Sequence, residues 1–251
     1  MSKNRLKDHR SQSIKNYPRN FKKLFDFMSK PILVFPSSGG SHAEYGDFGM
    51  IAACEPWITS GKVRFYTPDS YDNESWEASW KSPHDRALAH EAYARFIIDE
   101  FVPLIRAEND WQGGLLATGC SMGAYHAVNF GLKYPTVFDT VISLSGLYDI
   151  RFLCGDYGND ELVYLNSPVD YLGNLADTWF LEQYAKNTYI ICTGLGPWEE
   201  VEETKKLDRA FQHKHIPGWF DYWGEDVSHD WIWWRKQMPY YLGKLVELGQ
   251  L

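Results

Sequence analysis

The sequence predicts an α/β fold in which a mostly parallel central sheet is flanked by helices. Short apolar runs alternate with segments of helical period, and each run ends in turn residues. Continuous apolar runs are typical of parallel strands that are buried on both faces. Strands that alternate with helices imply right-handed crossovers. With 251 residues, the chain is long enough for one sizeable core, so we expect one domain over residues 1–251.

Six runs are strand candidates, and four longer segments are helix candidates. The strands are predicted at 31–35, 62–67, 115–120, 141–144, 188–193 and 219–223. The helices are predicted at 84–108, 122–132, 199–213 and 230–248. Residues 1–30 should supply the opening strands of the sheet, although their pattern is weak and basic. Residues 150–187 are irregular and aromatic, and this length is uncommon for a plain connection, which favours a lid or cap.

The composition excludes several classes of protein. Hydrophobic residues make up 44% of the chain and charged residues 23%, as in an ordinary globular protein. The net charge of −8 argues against binding to nucleic acid or to an anionic membrane. No apolar run reaches the length of a membrane span and no signal peptide is evident, so we expect a cytoplasmic protein. The four cysteines form no CxxC motif, which favours small buried side chains over disulfides or metal ligands.

The motif G-x-S-x-G at Gly119–Gly123 predicts a nucleophilic serine. It lies between the strand run LLATGC and the helix run MGAYHAVNFGL, so Ser121 is expected on a tight strand-to-helix turn, the nucleophile elbow of α/β-hydrolases. Gly119 and Gly123 allow the close approach of neighbouring backbone that this turn requires. The alternative is a serine N-cap in a glycine-rich turn.

A serine hydroxyl needs a base to remove its proton, and the chain order of this fold is serine, acid, histidine. His229 lies beyond the last strand candidate and is the predicted base. The orienting acid should follow the strand TYIICT, where Glu199 is the first choice and Glu200 the second. Asp149, after the strand VISL, is a further candidate. Both glutamates also suit the N-terminus of the following helix for purely electrostatic reasons.

Two backbone N–H groups should bind the oxyanion of the tetrahedral intermediate. One is expected from Met122, directly after the nucleophile. The other should come from the turn after the first strand, where Ser38 is preferred and Ser37 and Gly39 are alternatives. A substrate pocket at the carboxyl ends of the strands is expected to have aromatic walls, although core packing is an equally ordinary role for these rings. The candidates are Tyr45, Trp76, Trp198 and Trp231.

With these residues in place, the chain resembles the esterase branch of the α/β-hydrolase superfamily, and in particular bacterial cytoplasmic esterase-like proteins. The similar stretches include FPSSGG, PHDRALAHEAYARFI, ATGCSMGAYHAVNF, GPWEE and WFDYWGEDVSHDWIWW, within residues 31–247. Wider relatives include feruloyl esterases, S-formylglutathione hydrolases and mycolyltransferases. The resemblance implies the fold, a serine nucleophile and hydrolysis of carboxylic esters.

The leading hypothesis is a serine carboxylesterase for short acyl groups that works through an acyl-enzyme and needs neither metal nor organic cofactor. An acyltransferase with the same triad and a catalytically idle binding protein of the same fold are the alternatives. The expected partner is a small-molecule ester, and self-association into a homo-oligomer is compatible with the sequence.

Overall fold

The computed structural model describes residues 29–251, which form a six-stranded sheet with helices on both faces. The opening strands expected within residues 1–30 fall almost entirely outside the described residues. The sheet order is β2-β1-β3-β4-β5-β6, and every neighbouring pair is parallel. The strands are β1 (Lys30–Phe35), β2 (Val63–Tyr66), β3 (Leu115–Cys120), β4 (Phe138–Leu144), β5 (Thr188–Thr193) and β6 (Trp219–Tyr222). The predicted α/β fold class is confirmed.

The α-helices of the described residues vary from single turns to the long closing helix. They are α1 (Glu44–Asp47), α2 (Met50–Ala53), α3 (Glu55–Thr59), α4 (Pro83–Phe96), α5 (Val102–Asn109), α6 (Met122–Lys133), α7 (Arg151–Cys154), α8 (Glu161–Tyr164), α9 (Pro168–Asn174), α10 (Thr178–Tyr184), α11 (Val201–His213) and α12 (Trp231–Glu247). A 3₁₀ turn spans Asp72–Glu74. None of the helices within residues 29–251 has the length and apolar character needed to cross a membrane.

The core lies on both faces of the sheet, which explains why the strands are apolar without alternation. Leu33 and Phe35 of β1 pack on one face, together with residues of α6 and α11. Ile32 and Val34 of the same strand pack on the other face, against α12. Since side chains of a strand point alternately to opposite faces, both sets have to be apolar when both faces are covered.

The helix predicted over residues 84–108 is interrupted in the structure. It begins after Ser82, whose side chain caps the N–H of Asp85 at 3.1 Å. The backbone then widens into a π-helical turn at Ile97–Phe101 before α5 begins. Pro103 lies at the start of α5 and has no N–H to donate to the preceding turn, which accounts for the change in hydrogen bonding.

Residues 150–187, predicted to be irregular, form the four short helices α7–α10. Asp160 caps α8 by accepting hydrogen bonds from the N–H groups of Leu162 and Val163, both at 3.0 Å. Ile150 and Val163 are buried in a small apolar cluster with Met122, the residue that follows the predicted nucleophile. This segment therefore packs beside the end of β3.

Candidate active site

Ser121 lies on a strained turn between β3 and α6. Its backbone has φ 55° and ψ −116°, and a positive φ is uncommon for a residue other than glycine. Its N–H donates to the Leu144 carbonyl at 2.9 Å, which joins the turn to the end of β4. Strain of this kind persists only where the surroundings enforce it, and it is concentrated at functional sites.

The two glycines of the motif are required by close backbone packing. A Cβ at Gly119 would lie 2.5 Å from the Gly123 carbonyl oxygen and 2.6 Å from that of Phe35. A Cβ at Gly123 would overlap the Phe35 carbonyl oxygen and lie 2.8 Å from the Pro36 oxygen. The end of β1 is thus pressed against the elbow, which brings the turn after β1 next to Ser121.

The Cys120 thiol, next to Ser121 in the chain, is buried and unreactive. Cys120 is fully buried, and burial raises the pKa of its thiol well above the ordinary value. Its Sγ lies 3.6 Å from the Tyr45 hydroxyl oxygen. Because the thiolate is the reactive form of cysteine, a buried protonated thiol is inert.

The loop that carries His229 docks on the loop after β5 through backbone hydrogen bonds. Leu195 N–H donates to the Gly224 carbonyl at 3.3 Å, and Gly196 N–H donates to the Val227 carbonyl at 2.9 Å. His229 N–H donates in return to the Pro197 carbonyl at 3.1 Å. A Cβ at Gly196 would lie 2.6 Å from the Val227 oxygen, so only glycine permits this approach.

This docking brings the His229 imidazole to one of the three candidate acids. His229 Nδ1 lies 3.3 Å from Glu199 Oε2, and the Glu199 side chain is 1% exposed whereas that of His229 is 26% exposed. Glu200 is exposed at the start of α11. Asp149 instead pairs with Lys206 at 3.1 Å and with Arg151 at 3.0 Å. With the proton on Nδ1, the other ring nitrogen of His229 is free to act as a base.

Other contacts hold the Glu199 carboxylate in place. Ser145 Oγ donates to Oε1 at 2.7 Å and Gly194 N–H donates to the same oxygen at 3.1 Å, while Thr193 Oγ1 lies 3.2 Å from Oε2. Trp234 Nε1 donates to Ser145 Oγ at 3.0 Å, and the Trp234 ring meets the His229 ring edge to face at 5.0 Å. Sequence reasoning missed Ser145 and Trp234, although Ser145 directly follows β4, where polar residues of this fold reach the site.

Ser121 and His229 both lie at the carboxyl edge of the sheet, but no hydrogen bond joins their side chains within residues 29–251. The Ser121 N–H donates to the carbonyl of Leu144 at the end of β4. Ser145, which follows Leu144, donates its hydroxyl to the Glu199 carboxylate. Ser145 therefore lies between the elbow and the pair formed by Glu199 and His229. Catalytic hydrogen bonds are often long without substrate and tighten in the complex.

Three backbone N–H groups next to Ser121, those of Met122, Ser38 and Gly39, have no acceptor among the described residues and suit an oxyanion. Met122 begins α6, and the first N–H groups of a helix have no partner within it. In the turn after β1, Ser37 N–H donates to Glu44 Oε1 at 3.0 Å and Gly40 N–H donates to the Ser37 carbonyl at 2.9 Å. The Ser37 alternative is therefore already satisfied, whereas the N–H groups of Ser38 and Gly39 remain.

The four aromatic pocket candidates divide into two kinds. Tyr45 and Trp76 are each 1% exposed and pack in buried apolar clusters, which favours the alternative role in the core. Trp198 is 88% exposed and precedes Glu199 with φ 68°. Trp231 is half-buried, and its ring stacks on that of Phe48 with centroids 4.8 Å apart.

A histidine beside a carboxylate is not by itself evidence of a catalytic site in this chain. Three further pairs are His42 with Asp69 at 2.6 Å, His84 with Asp160 at 2.7 Å, and His126 with Asp72 at 2.8 Å. What distinguishes the pair of His229 and Glu199 is its position after β5 and β6, beside the elbow. Among residues 29–251, no group of three or more His, Cys, Asp or Glu side chains is arranged to hold a metal ion.

The fold is shared with solved esterases and hydrolases of low sequence identity. A ferulic acid esterase superposes with TM-score 0.69 at 18% identity, over 89% of this chain and 87% of that one. An S-formylglutathione hydrolase from Agrobacterium tumefaciens gives TM-score 0.67 at 12% identity, over 87% and 84%. The fluorophosphonate-binding serine hydrolase F of Staphylococcus aureus gives TM-score 0.59 at 17% identity, over 92% and 89%.

No curated protein sequence matches this chain. The family described as "Putative esterase" matches residues 60–245, which cover the strands from β2 onwards together with Ser121, Glu199 and His229. The chain therefore belongs to this esterase family of the α/β-hydrolase fold and is a carboxylic-ester hydrolase.

Proposed function

We propose that the protein is a serine carboxylesterase in which Ser121 is the nucleophile, His229 the general base and Glu199 the orienting acid. The observation that carries the proposal is the strained backbone of Ser121 at the end of β3, beside a histidine held against a buried carboxylate. Ser121 Oγ attacks the acyl carbonyl as His229 takes its proton. The imidazolium then gives this proton to the departing alcohol, and water releases the acyl group by the reverse sequence.

In this proposal, the N–H groups of Met122 and Ser38 bind the oxyanion. Both groups lack an acceptor among the described residues, and donors fixed before the reaction need no reorganisation in the transition state. The negative charge that develops near Ser121 is also favoured by the N-terminus of α6.

The proposed substrate is a small-molecule ester with a short acyl group. Trp198 and the stacked rings of Trp231 and Phe48 lie beside Glu199 and His229, where bulky rings leave little room for an extended chain. Residues 150–187 are proposed to cap the site on the side of Met122, because Ile150 and Val163 pack against this residue. We also propose that the protein acts in the cytoplasm.

The test measures rates on acetyl, butyryl, octanoyl and palmitoyl esters of one leaving group, with the wild type and Ser121→Ala. We expect turnover to decrease with acyl length and to vanish in the variant, along with labelling by a fluorophosphonate probe. Wild-type turnover in a folded Ser121→Ala protein would overturn the nucleophile. A kcat/KM that rises steadily to palmitoyl would overturn the short-acyl preference, and an added alcohol that captures most of the acyl group would identify a transferase.

A further inference from the structure

The turn after β1 is held by two carboxylates that lie outside the proposed triad. Glu44, the first residue of α1, is 5% exposed. Its carboxylate accepts the Ser37 N–H at 3.0 Å and the Ser37 Oγ at 2.5 Å. From the other side, Ser38 Oγ donates to Glu77 Oε1. The side chains of Ser37 and Ser38 are therefore both held by carboxylates, close to the N–H groups of Ser38 and Gly39 that have no acceptor.

The Glu44 carboxylate lies where the Cβ of any residue other than glycine at position 40 would be. A Cβ at Gly40 would overlap Glu44 Oε2 and lie 2.9 Å from the Ser37 carbonyl oxygen. Gly39 has φ 66°, which glycine adopts without steric cost, and Gly40 N–H closes the turn on the Ser37 carbonyl. The backbone of the turn is thus shaped around a buried acid.

The Glu77 side of the turn is tied to the nucleophile helix. Glu77 N–H donates to the Asp72 carbonyl at 2.9 Å. Asp72 Oδ1 lies 2.8 Å from His126 Nε2, and both of these side chains are 2% exposed. Because His126 belongs to α6, which begins directly after Ser121, this chain of contacts connects the turn to the helix whose first N–H is Met122.

We propose that Glu44 and Glu77 are positioning residues for the oxyanion hole. They fix the turn 37–40 so that the Ser38 N–H stays opposite the Met122 N–H, with Glu44 as the stronger support because it is buried and makes two contacts. An oxyanion donor contributes only where it meets the developing charge, and small misplacements of catalytic groups are costly. The inference rests on the proposed function and extends it to residues outside the triad.

The test compares Glu44→Ala, Glu44→Gln and Glu77→Gln with Glu55→Ala as the control, since Glu55 is exposed on α3. Three experiments are made. Steady-state kinetics with p-nitrophenyl acetate give kcat and KM, inhibition by a trifluoromethyl ketone that forms an oxyanion on Ser121 gives an inhibition constant, and deuterium exchange is followed over residues 36–45. We expect Glu44→Ala to lower kcat about 10- to 100-fold, which is no more than the decrease in kcat caused by removing one oxyanion-hole donor outright. KM should change little, the inhibition constant should rise in parallel with the loss of kcat, and the turn should exchange faster.

Glu44→Gln should recover most of the activity, because its amide oxygen still accepts the Ser37 N–H and its NH₂ group can donate to Ser37 Oγ. Should Glu44→Ala fail to fold, Ser37→Ala removes one of the two contacts and is expected to give a smaller loss of the same kind. Wild-type kcat and inhibition constant in folded Glu44→Ala would overturn the positioning role and leave the esterase intact. Absence of Ser121-dependent turnover in the wild type would overturn both.

Discussion

Replacing Ser145 with alanine should cost both stability and activity, because one hydroxyl connects two buried groups. Ser145 Oγ donates to Glu199 Oε1 at 2.7 Å and accepts from Trp234 Nε1 at 3.0 Å. Ser145 has φ 59°, and alanine would keep the same backbone strain. The substitution therefore removes the hydroxyl without relieving the turn.

The size of the expected stability loss follows from the two hydrogen bonds that Ser145→Ala removes. A hydrogen bond to a charged group contributes about 1.5–3 kcal/mol. Trp234 is 4% exposed, and an N–H left without a partner in such a site costs about 1–3 kcal/mol. Allowing for partial relaxation around the smaller side chain, we expect the free energy of unfolding to fall by about 2–4 kcal/mol.

A double-mutant cycle with Trp234→Phe isolates the interaction. Phenylalanine has no N–H, so the group left without a partner by Ser145→Ala is missing from the double variant. The two effects should therefore fall short of additivity by about 1–2 kcal/mol. Urea unfolding measures all four proteins, with Ser60→Ala as an exposed control. Additivity within about 0.5 kcal/mol would refute the proposed connection.

Three further predictions concern the acid Glu199, the glycine Gly123 of the elbow and the buried imidazole of His90. Glu199→Gln should lower kcat far more than Glu200→Gln, since only Glu199 contacts His229, and the reverse order in steady-state kinetics would transfer the role to Glu200. Gly123→Ala should lower the free energy of unfolding by more than about 2 kcal/mol, because its methyl group would overlap the Phe35 carbonyl. The control Gly173→Ala has open space around it and should change this free energy by less than about 1 kcal/mol; equal effects of the two variants in urea unfolding would contradict the packing argument. Burial, with the nearby His126 and Lys133 charges, holds the pKa of His90 well below its ordinary 6.5. The unfolded state therefore binds more protons, and stability should be lost as pH falls below about 6.5. If the urea midpoint of His90→Gln decreased with falling pH as steeply as that of the wild type, this prediction would be wrong.

The sheet and the strand-to-helix turn at Ser121 could be predicted because their signals are local. A parallel strand covered on both faces is a short continuous apolar run, and β1, β3 and β5 are of this kind. The elbow is a five-residue pattern between a strand and a helix, and its glycines are explained by contacts with β1 that the motif itself anticipates. The choice of His229 as the predicted base rests on chain order alone.

Features that depend on packing between distant loops were not predictable in the same way. Glu199 and Glu200 are adjacent and equally suited to the start of α11, and only the docking of the His229 loop distinguishes them. Tyr45 and Trp76 follow strands, as pocket residues do, but nothing in their sequence context indicates that they turn inward. The helices α7–α10 have only 4–7 residues each, which is too short for a helical period to emerge.

The contacts around the proposed triad divide it into a fixed acid and a freer base. The Glu199 side chain is 1% exposed and is held by Ser145, Gly194 and Thr193 in addition to His229. His229 is 26% exposed, and the Glu199 contact at 3.3 Å is the one side-chain hydrogen bond that its imidazole makes among the described residues. Since the backbone of the His229 loop is docked on the loop after β5, the remaining freedom lies in the ring itself. Adjustment of this ring toward Ser121 when substrate binds requires no movement of the acid, and a buried acid with several partners keeps Nδ1 oriented while the other nitrogen changes partner.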